Sequence, residues 1–454
     1  MKLAVAMSGG VDSSVVAKMM VDEGHEVVGL FLKLWSSPDC GIKRDNRCCD
    51  YEALEDARAV ANQLNIPFYV INAEKEFKKE VVDYFLNEYK NLRTPNPCIV
   101  CNDKIKFDLL LKKALQLGCE KLVSGHYSRI IDSGNSRSEI LNSKKITNSK
   151  AQDQNNPVIP AKAGIQELIN TGSQIESGMT FGGYGLFAGV DELKDQSYML
   201  YRLDQAQLSK VLFPLGEMTK KEVRTLARKW NLPVKEKPES QEICFVAEKD
   251  YREFLKRYLP KKYFSPGDIV DQNGGIVGRH EGLVNYTVGQ RKGIEQQKSQ
   301  VPSPESKGNS KSKNQNEDRK PLYVVGFDVE KNRLIVGEDK ETFKKEMVVK
   351  DVHWIVQSPK VLKSKSQKEI SSGLPDSWTH DLSVKIRYRH PGVEISKIKY
   401  QISNKAQIPN SQTTTQQWNR VIIEFEKPQR AVTSGQSAVF YSGDEVLGGG
   451  IIVE

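Results

Sequence analysis

Apolar and polar positions alternate in two rhythms along the first third of the chain. Short apolar runs recur at Lys2–Met7 (KLAVAM), Glu26–Trp35 (EVVGLFLKLW), Pro67–Ala73 (PFYVINA) and Lys121–Ile131 (KLVSGHYSRII), with the β-branched and aromatic content of strands. Between them, apolar residues take helical spacing over Val11–Val21, with Gly24 as a natural stop, then over Tyr51–Leu64, Lys79–Leu92 and Ile105–Cys119. This alternation predicts an α/β fold, a doubly wound parallel sheet covered by helices on both faces. Ligands of such sheets bind beyond the carboxyl ends of the strands, and the turn Ser8–Ser14 directly follows the first strand.

The rhythm lapses from Ser133 to about Val190, where Ser, Asn, Lys and Gln prevail without an apolar face. A mostly disordered insertion is expected there, and further polar insertions over about 295–320, 358–378 and 403–417. Elsewhere order returns. Gln207–Val234 has the pattern of helix, turn and helix, with Thr219 and Glu222 spaced as a capping box. After Pro266 short strands punctuated by glycine predict one or two small β-barrels. The expected division is an α/β domain over 1–248, a small β-rich domain over 249–342 and a C-terminal β-barrel over 343–454.

Charge adds a direction. The 454 residues carry 67 basic and 58 acidic side chains, a net +9, which suits a phosphate-rich partner such as RNA and equally a merely basic soluble surface. The N-terminal apolar run is cut short by Gly9 and Gly10, too early for a signal peptide. No window approaches the ~18 consecutive apolar residues of a membrane span, so a cytoplasmic protein without a membrane partner is expected. Seven cysteines in that compartment are expected to be mostly reduced, which directs close pairs toward redox, metal or sulfur chemistry.

The turn Ser8-Gly-Gly-Val-Asp-Ser-Ser14 looks like a phosphate loop without the lysine of a Walker motif. Its glycines admit phosphate oxygens to the backbone, and a helix starting at Val11 offers free N–H groups. Ser8, Ser13 and Ser14 add hydroxyls, and Asp12 can help hold Mg2+. Such a site suits gripping pyrophosphate better than transferring a terminal phosphoryl group. The plainer alternative is a helix start with serine caps.

The loop resembles the PP-loop of ATP pyrophosphatases. Leu86–Phe107 (LNEYKNLRTPNPCIVCNDKIKF), Ser124–Tyr127 (SGHY), Lys194–Tyr201 (KDQSYMLY), Leu212–Lys220 (LFPLGEMTK), Glu239–Val246 (ESQEICFV), Tyr286–Gly293 (YTVGQRKG) and Lys385–His390 (KIRYRH) follow in the order of bacterial tRNA-specific 2-thiouridylases. The resemblance spans nearly the whole chain apart from the polar tracts. It implies ATP-dependent 2-thiolation of the wobble uridine, position 34, of tRNA. ATP and Mg2+ would adenylate the base oxygen, with AMP and pyrophosphate released. A cysteine desulfurase or sulfur-relay protein would supply the sulfur. Another adenylating synthetase of amidotransferase type, or a degenerate RNA-binding protein, is the alternative.

Carried over position by position, the resemblance makes Cys101 the nucleophile and Cys244 the persulfide carrier, with a disulfide able to form between them. It makes Ala6, Met7, Ser8, Gly9, Gly10, Val11, Asp12, Ser13, Leu32 and Gly125 ATP contacts. Asn96, Pro97, Cys98, His126, Lys194, Asp195, Gln196, Arg387, Tyr388 and Gln436 become tRNA contacts. One departure stands out: Cys98 occupies the place of the family's usual Asp, and a thiol is a poor substitute for a carboxylate. The resulting C-x-x-C pair leaves a second sulfur route open, in which Cys98, Cys101 and Cys244 hold a [4Fe-4S] cluster. On spacing alone the pair could also be a redox couple or half a zinc site. Pro95 and Pro97 predict that the pair lies in an extended loop entering a helix near Lys104. Cys40, Cys48 and Cys49 are irregularly spaced and read as structural, and Cys119 as buried.

Overall fold

The computed structural model describes residues 1–35, 51–132, 183–239, 243–246, 250–294, 321–355, 382–401 and 420–453. Cys40, Cys48 and Cys49 and nearly all of the polar tracts lie outside the described residues. The exception is β6 (Tyr184–Ala188), a strand that falls inside the stretch expected to be insertion. Its five residues carry no local signal because their partner, β5 (Ser128–Asp132), lies across the polar tract.

Five parallel strands form the first sheet, in the order β3 (Phe68–Asn72), β2 (Glu26–Lys33), β1 (Lys2–Ala6), β4 (Lys121–Val123), β7 (Val211–Leu212). Side chains alternate between its faces as the strand period of two requires. Leu3, Val5, Val27 and Phe31 pack on one side with α1 (Val11–Asp22), α2 (Tyr51–Gln63) and the helix Lys220–Lys229. Ala4, Val28 and Leu30 pack on the other with Phe107, Leu110, Leu111 and Ala114 of the helix over 97–116. Both faces are covered over β1, β2 and β4, which is why those strands read as apolar runs, while β3 at the edge leaves Tyr69 and Val70 exposed. The expected single strand Lys121–Ile131 is two: β4 stays in the parallel sheet, and β5 turns away into a different one.

The helices over 74–90 and 97–116 each contain a π-helical stretch, Lys78–Val82 and Cys101–Leu110. A third apolar cluster joins them to the turn at 243–246 and to the helix Tyr251–Tyr258. Beyond it, β8 (Gly267–Val270), β9 (Ile276–His280), β10 (Tyr323–Asp328) and β11 (Arg333–Gly337) make a four-stranded sheet.

The C-terminal strands close into a barrel in the order β12 (Phe343–Trp354), β15 (Arg420–Arg430), β14 (Val393–Gln401), β13 (Leu382–Lys385), β16 (Ser437–Ser442), β17 (Glu445–Ile452). Closure is the β12–β17 pairing. There Gly448 has φ +155°, and a Cβ would lie 2.2 Å from the His353 carbonyl oxygen, so only glycine lets the two strands meet. The hairpin β5–β6 extends this sheet, with Leu186 opposite Val446 and Phe187 opposite Glu445. The barrel and the α/β domain therefore share a sheet. They also share a core: Leu186, Tyr198 and Tyr201 pack with Val439, Tyr441 and Val446. Tyr198 donates to the Ser437 carbonyl at 2.8 Å, which satisfies its buried hydroxyl across the seam. Among the described residues no helix is long and apolar enough to cross a membrane.

Leu186 is fully buried in that shared core. Leu186→Ala is expected to cost about 2–5 kcal/mol, the usual range for emptying such a site. Urea unfolding followed by tryptophan fluorescence should show the whole transition moving to lower denaturant, rather than an early phase from one domain splitting off.

Candidate functional site

The turn after β1 is held by its own backbone and hydroxyls. Met7 donates its N–H to the Leu30 carbonyl at 2.8 Å, which anchors the end of the strand. Gly9 takes φ +68°, and a Cβ there would stand 2.1 Å from the Ala53 carbonyl oxygen of α2. No other residue fits, on both counts. Gly10 caps α1 in an extended conformation without a side-chain cap bond. Ser13 and Ser14 instead donate to the Gly10 carbonyl at 3.2 and 2.8 Å, and Ser13 Oγ accepts from the Ser8 N–H at 3.1 Å. Gly125, at the end of β4, lies against the backbone of Asp12 and Ser13. The turn thus sits at the carboxyl edge of the sheet with the amino end of α1 behind it, an arrangement that favours anions. Ala6 and Val11 border it, and Leu32 lies half-buried on the adjacent β2.

A chain of charges runs from this turn. Asp12 accepts from the Tyr127 hydroxyl at 2.8 Å and pairs with Lys220, whose Nζ lies 2.7 Å from both carboxylate oxygens. Lys220 also pairs with Glu239 at 3.0 Å, and Glu239 with Lys194 at 2.6 Å. Lys220 opens the helix Lys220–Lys229, whose start is fixed by the reciprocal Thr219–Glu222 capping box and by a bond from the Lys220 N–H to Asp191 at 2.8 Å. Burial alone would raise Glu239, but hydrogen bonds and charge from Lys194 and Lys220 outweigh it and lower its pKa to about 2. Burial, reinforced by the Asp12 charge, pushes the Tyr127 hydroxyl well above its ordinary value, so it stays a donor. Lys220, Tyr127 and Glu239 went unremarked as individual site residues. Lys220 and Tyr127 close two of the quoted motifs and Glu239 opens a third, but nothing local shows that the three converge.

The cysteines correct one expectation. Pro97 is the first residue of a helix, not part of an extended loop, because its fixed φ and missing N–H suit that position. Cys98 is exposed in the first turn, and Cys101 is buried where the α-helix passes into the π-helical stretch. Cys244 is half-buried in the turn at 243–246, beside Phe245, whose ring packs edge-on against Phe77 and Phe85. Cys101 and Cys244 enter the same apolar cluster, although 143 positions separate them in sequence (244 − 101). Cys119 is buried in a different cluster, and burial raises its thiol pKa. Among the described residues no three His, Cys, Asp or Glu side chains gather in a way that could hold a metal ion. Cys98, Cys101 and Cys244 do not form such a group in this arrangement. Asp12 does fit Mg2+, which is commonly held by one or two carboxylates together with substrate phosphates.

The expected tRNA contacts fall into two groups. Arg387 is exposed and Tyr388 half-buried on the barrel, and burial, reinforced by the Asp195 charge, raises the pKa of the Tyr388 hydroxyl. Lys194 is held by Glu239. Asn96 precedes the helix that begins at Pro97. The other group is occupied internally. Asp195 is buried and accepts from Gly189, from Ser197 and from Lys385 of the barrel. Gln196 accepts from the Tyr127 N–H at 3.1 Å. Gln436 donates to the Thr94 carbonyl at 3.0 Å, which ties the barrel to the segment leading into Pro97. His126 is buried between Phe107 and Phe213, with its ring bonded to Ser124 Oγ at 2.6 Å, and burial drives its pKa well down. It packs as a neutral side chain.

Known proteins resemble this chain along its whole length. Residues 1–156 and 159–248 match the model of the tRNA methyl transferase HUP domain. Residues 252–338 match the tRNA methyl transferase PRC-barrel domain, and 344–452 the aminomethyltransferase beta-barrel domain. A tRNA-specific 2-thiouridylase MnmA from Carboxydothermus hydrogenoformans is 38% identical over 99% of this chain and 97% of its own length. One from Geobacter metallireducens is 39% identical over 99% of this chain and 96% of its own. Among solved structures, NMN synthetase from Francisella tularensis aligns with 27% of this chain and 43% of its own at 18% identity and a TM-score of 0.19, too little to carry weight.

The lowered pKa of Glu239 has a consequence with a definite sign. Stabilisation from its ionised form is complete above the ordinary value of 4.5 and is lost as pH falls toward about 2. In thermal or urea unfolding, Glu239→Gln should be less stable than the parent at pH 6–7, with the gap closing below about pH 4.5. A gap independent of pH would show that the carboxylate charge is not what matters there.

Proposed function

The chain belongs to the family of tRNA-specific 2-thiouridylases, an ATP-dependent group of sulfurtransferases that modify tRNA, and from that membership we propose how its own residues divide the work. The target is the wobble uridine, and the setting is the cytoplasm, where tRNA and reduced thiols coexist. The turn Ser8–Ser13 grips the β- and γ-phosphates of ATP against the amino end of α1, with Mg2+ held partly by Asp12. Leu32 and Gly125 border the nucleotide. The uridine O2 attacks the α-phosphate, pyrophosphate leaves, and a poor leaving group has become AMP.

Sulfur arrives from a desulfurase or relay protein as a persulfide on Cys244. Its terminal sulfur adds to C2 of the activated base and AMP departs. The Cys101 thiolate then attacks the Cys244 sulfur, the S–S bond to the thiolated base breaks, and a Cys101–Cys244 disulfide remains. An external dithiol reductant must supply two electrons before the next cycle. What supports this sequence above all is that Cys101 and Cys244 lie in one apolar cluster, where a thiolate attack is shielded from water. We assign the exposed Cys98, on the first turn ahead of Cys101, to face the base. Arg387, Tyr388 and Lys194 line the tRNA side, with arginine and aromatic groups suited to phosphate and stacking contacts. Asp195, Gln196 and Gln436 hold that surface together from beneath. The division of labour follows 1–248 for chemistry, 249–342 as the connecting domain and 343–454 for tRNA.

Cys101→Ser and Cys244→Ser are each expected to abolish 2-thiouridine, read by nucleoside mass spectrometry after reaction of an unmodified tRNA transcript with ATP, Mg2+ and a persulfide source. Adenylation of the tRNA, read as pyrophosphate release from ATP, should survive both changes. Normal 2-thiouridine in either variant would overturn the two-cysteine route.

A further inference from the structure

The phosphate-binding turn lacks a lysine, yet an ammonium group stands at its mouth. We propose that Lys220 is the lysine of this turn, supplied from another part of the chain, and that it moves from Asp12 onto the polyphosphate of ATP when the nucleotide binds. The proposal rests on the ATP-dependent function above and adds a residue to it.

Three observations carry it. The Lys220 side chain is only 12% exposed, and its Nζ sits 2.7 Å from both oxygens of Asp12, in the first turn of α1. A phosphate lying against that helix start would be within a rotamer change of the same ammonium. Second, the root of the side chain is fixed. The capping box and the bond to Asp191 hold the first turn of Lys220–Lys229, so only the flexible stem need swing. Third, each carboxylate that Lys220 touches has another partner. Asp12 keeps the Tyr127 hydroxyl at 2.8 Å, and Glu239 keeps Lys194 at 2.6 Å. Lys220 can therefore leave Glu239 still ion-paired and Asp12 still hydrogen-bonded, at the carboxylate where Mg2+ would be held. Among the described residues it is also the one ion-pair partner that Asp12 has.

The contact is electrostatic and forms no bond, so its signature is selectivity for the β- and γ-phosphates. Equilibrium binding of ATP, pyrophosphate and AMP to the full chain with Mg2+, by calorimetry, reads it directly. Lys220→Met should weaken ATP and pyrophosphate binding about ten-fold or more, the scale of a lost charge-assisted hydrogen bond, and leave AMP within about three-fold. Lys220→Arg should recover part of the loss. ATP affinity unchanged, or ATP and AMP weakened alike, would overturn the proposal. A parent protein that binds no ATP would instead overturn the function on which it rests.

Discussion

A single ammonium group shared by two carboxylates sets the layout of the site. Lys220 bridges Asp12 and Glu239, and 208 positions separate it from Asp12. Charges this far out of water are tolerable only when paired, so the three segments that bear them must arrive together. One is the turn after the central strand, one the start of the helix Lys220–Lys229, and one the approach to Cys244. The nucleotide end of the site and the thiol end are in this way parts of one electrostatic object.

The thiols of Cys101 and Cys244 enter the site through packing. Cys101 is buried among the aromatic and aliphatic groups that also receive the turn holding Cys244. The helix over 97–116 that carries Cys101 lies across the sheet, and its later turns bury Phe107 and Leu110 on the face opposite α1. One rod thus carries the Cys101 sulfur and structural core residues in the same span. The barrel belongs to the site as much as the sheet does. Lys385 reaches Asp195, and Gln436 reaches the carbonyl of Thr94.

What could be read in advance was what the chain encodes locally. The strand–turn–helix around Ser8–Ser14, the capping box at Thr219 and the alternating layers of the sheet each depend on neighbours a few residues away. Pro97 misled because its rigid ring marks both loops and helix starts, and only the fold decides between them. The pairing of β5 with β6, and the meeting of Lys220, Tyr127 and Glu239 around Asp12, depend on residues distant in sequence and leave no local trace. Asp195, Gln196 and His126 illustrate the same limit. Two motifs singled them out, and the structure shows internal partners for each.

The strand pairing of the barrel sheet bears on how this chain can vary in length. The polar stretch 133–182 leaves from Asp132 and returns beside Tyr184, and those two residues face each other across a hydrogen-bonded ladder. The stretch 402–419 likewise departs from Gln401 and returns at Arg420, another facing pair. Where both ends are pinned as neighbours, the entropic cost of a longer loop grows only logarithmically with its length. These two places act as ports. Sequence can be added or removed there over evolutionary time, or a reporter grafted in the laboratory, while the register of every strand around the site stays as it is.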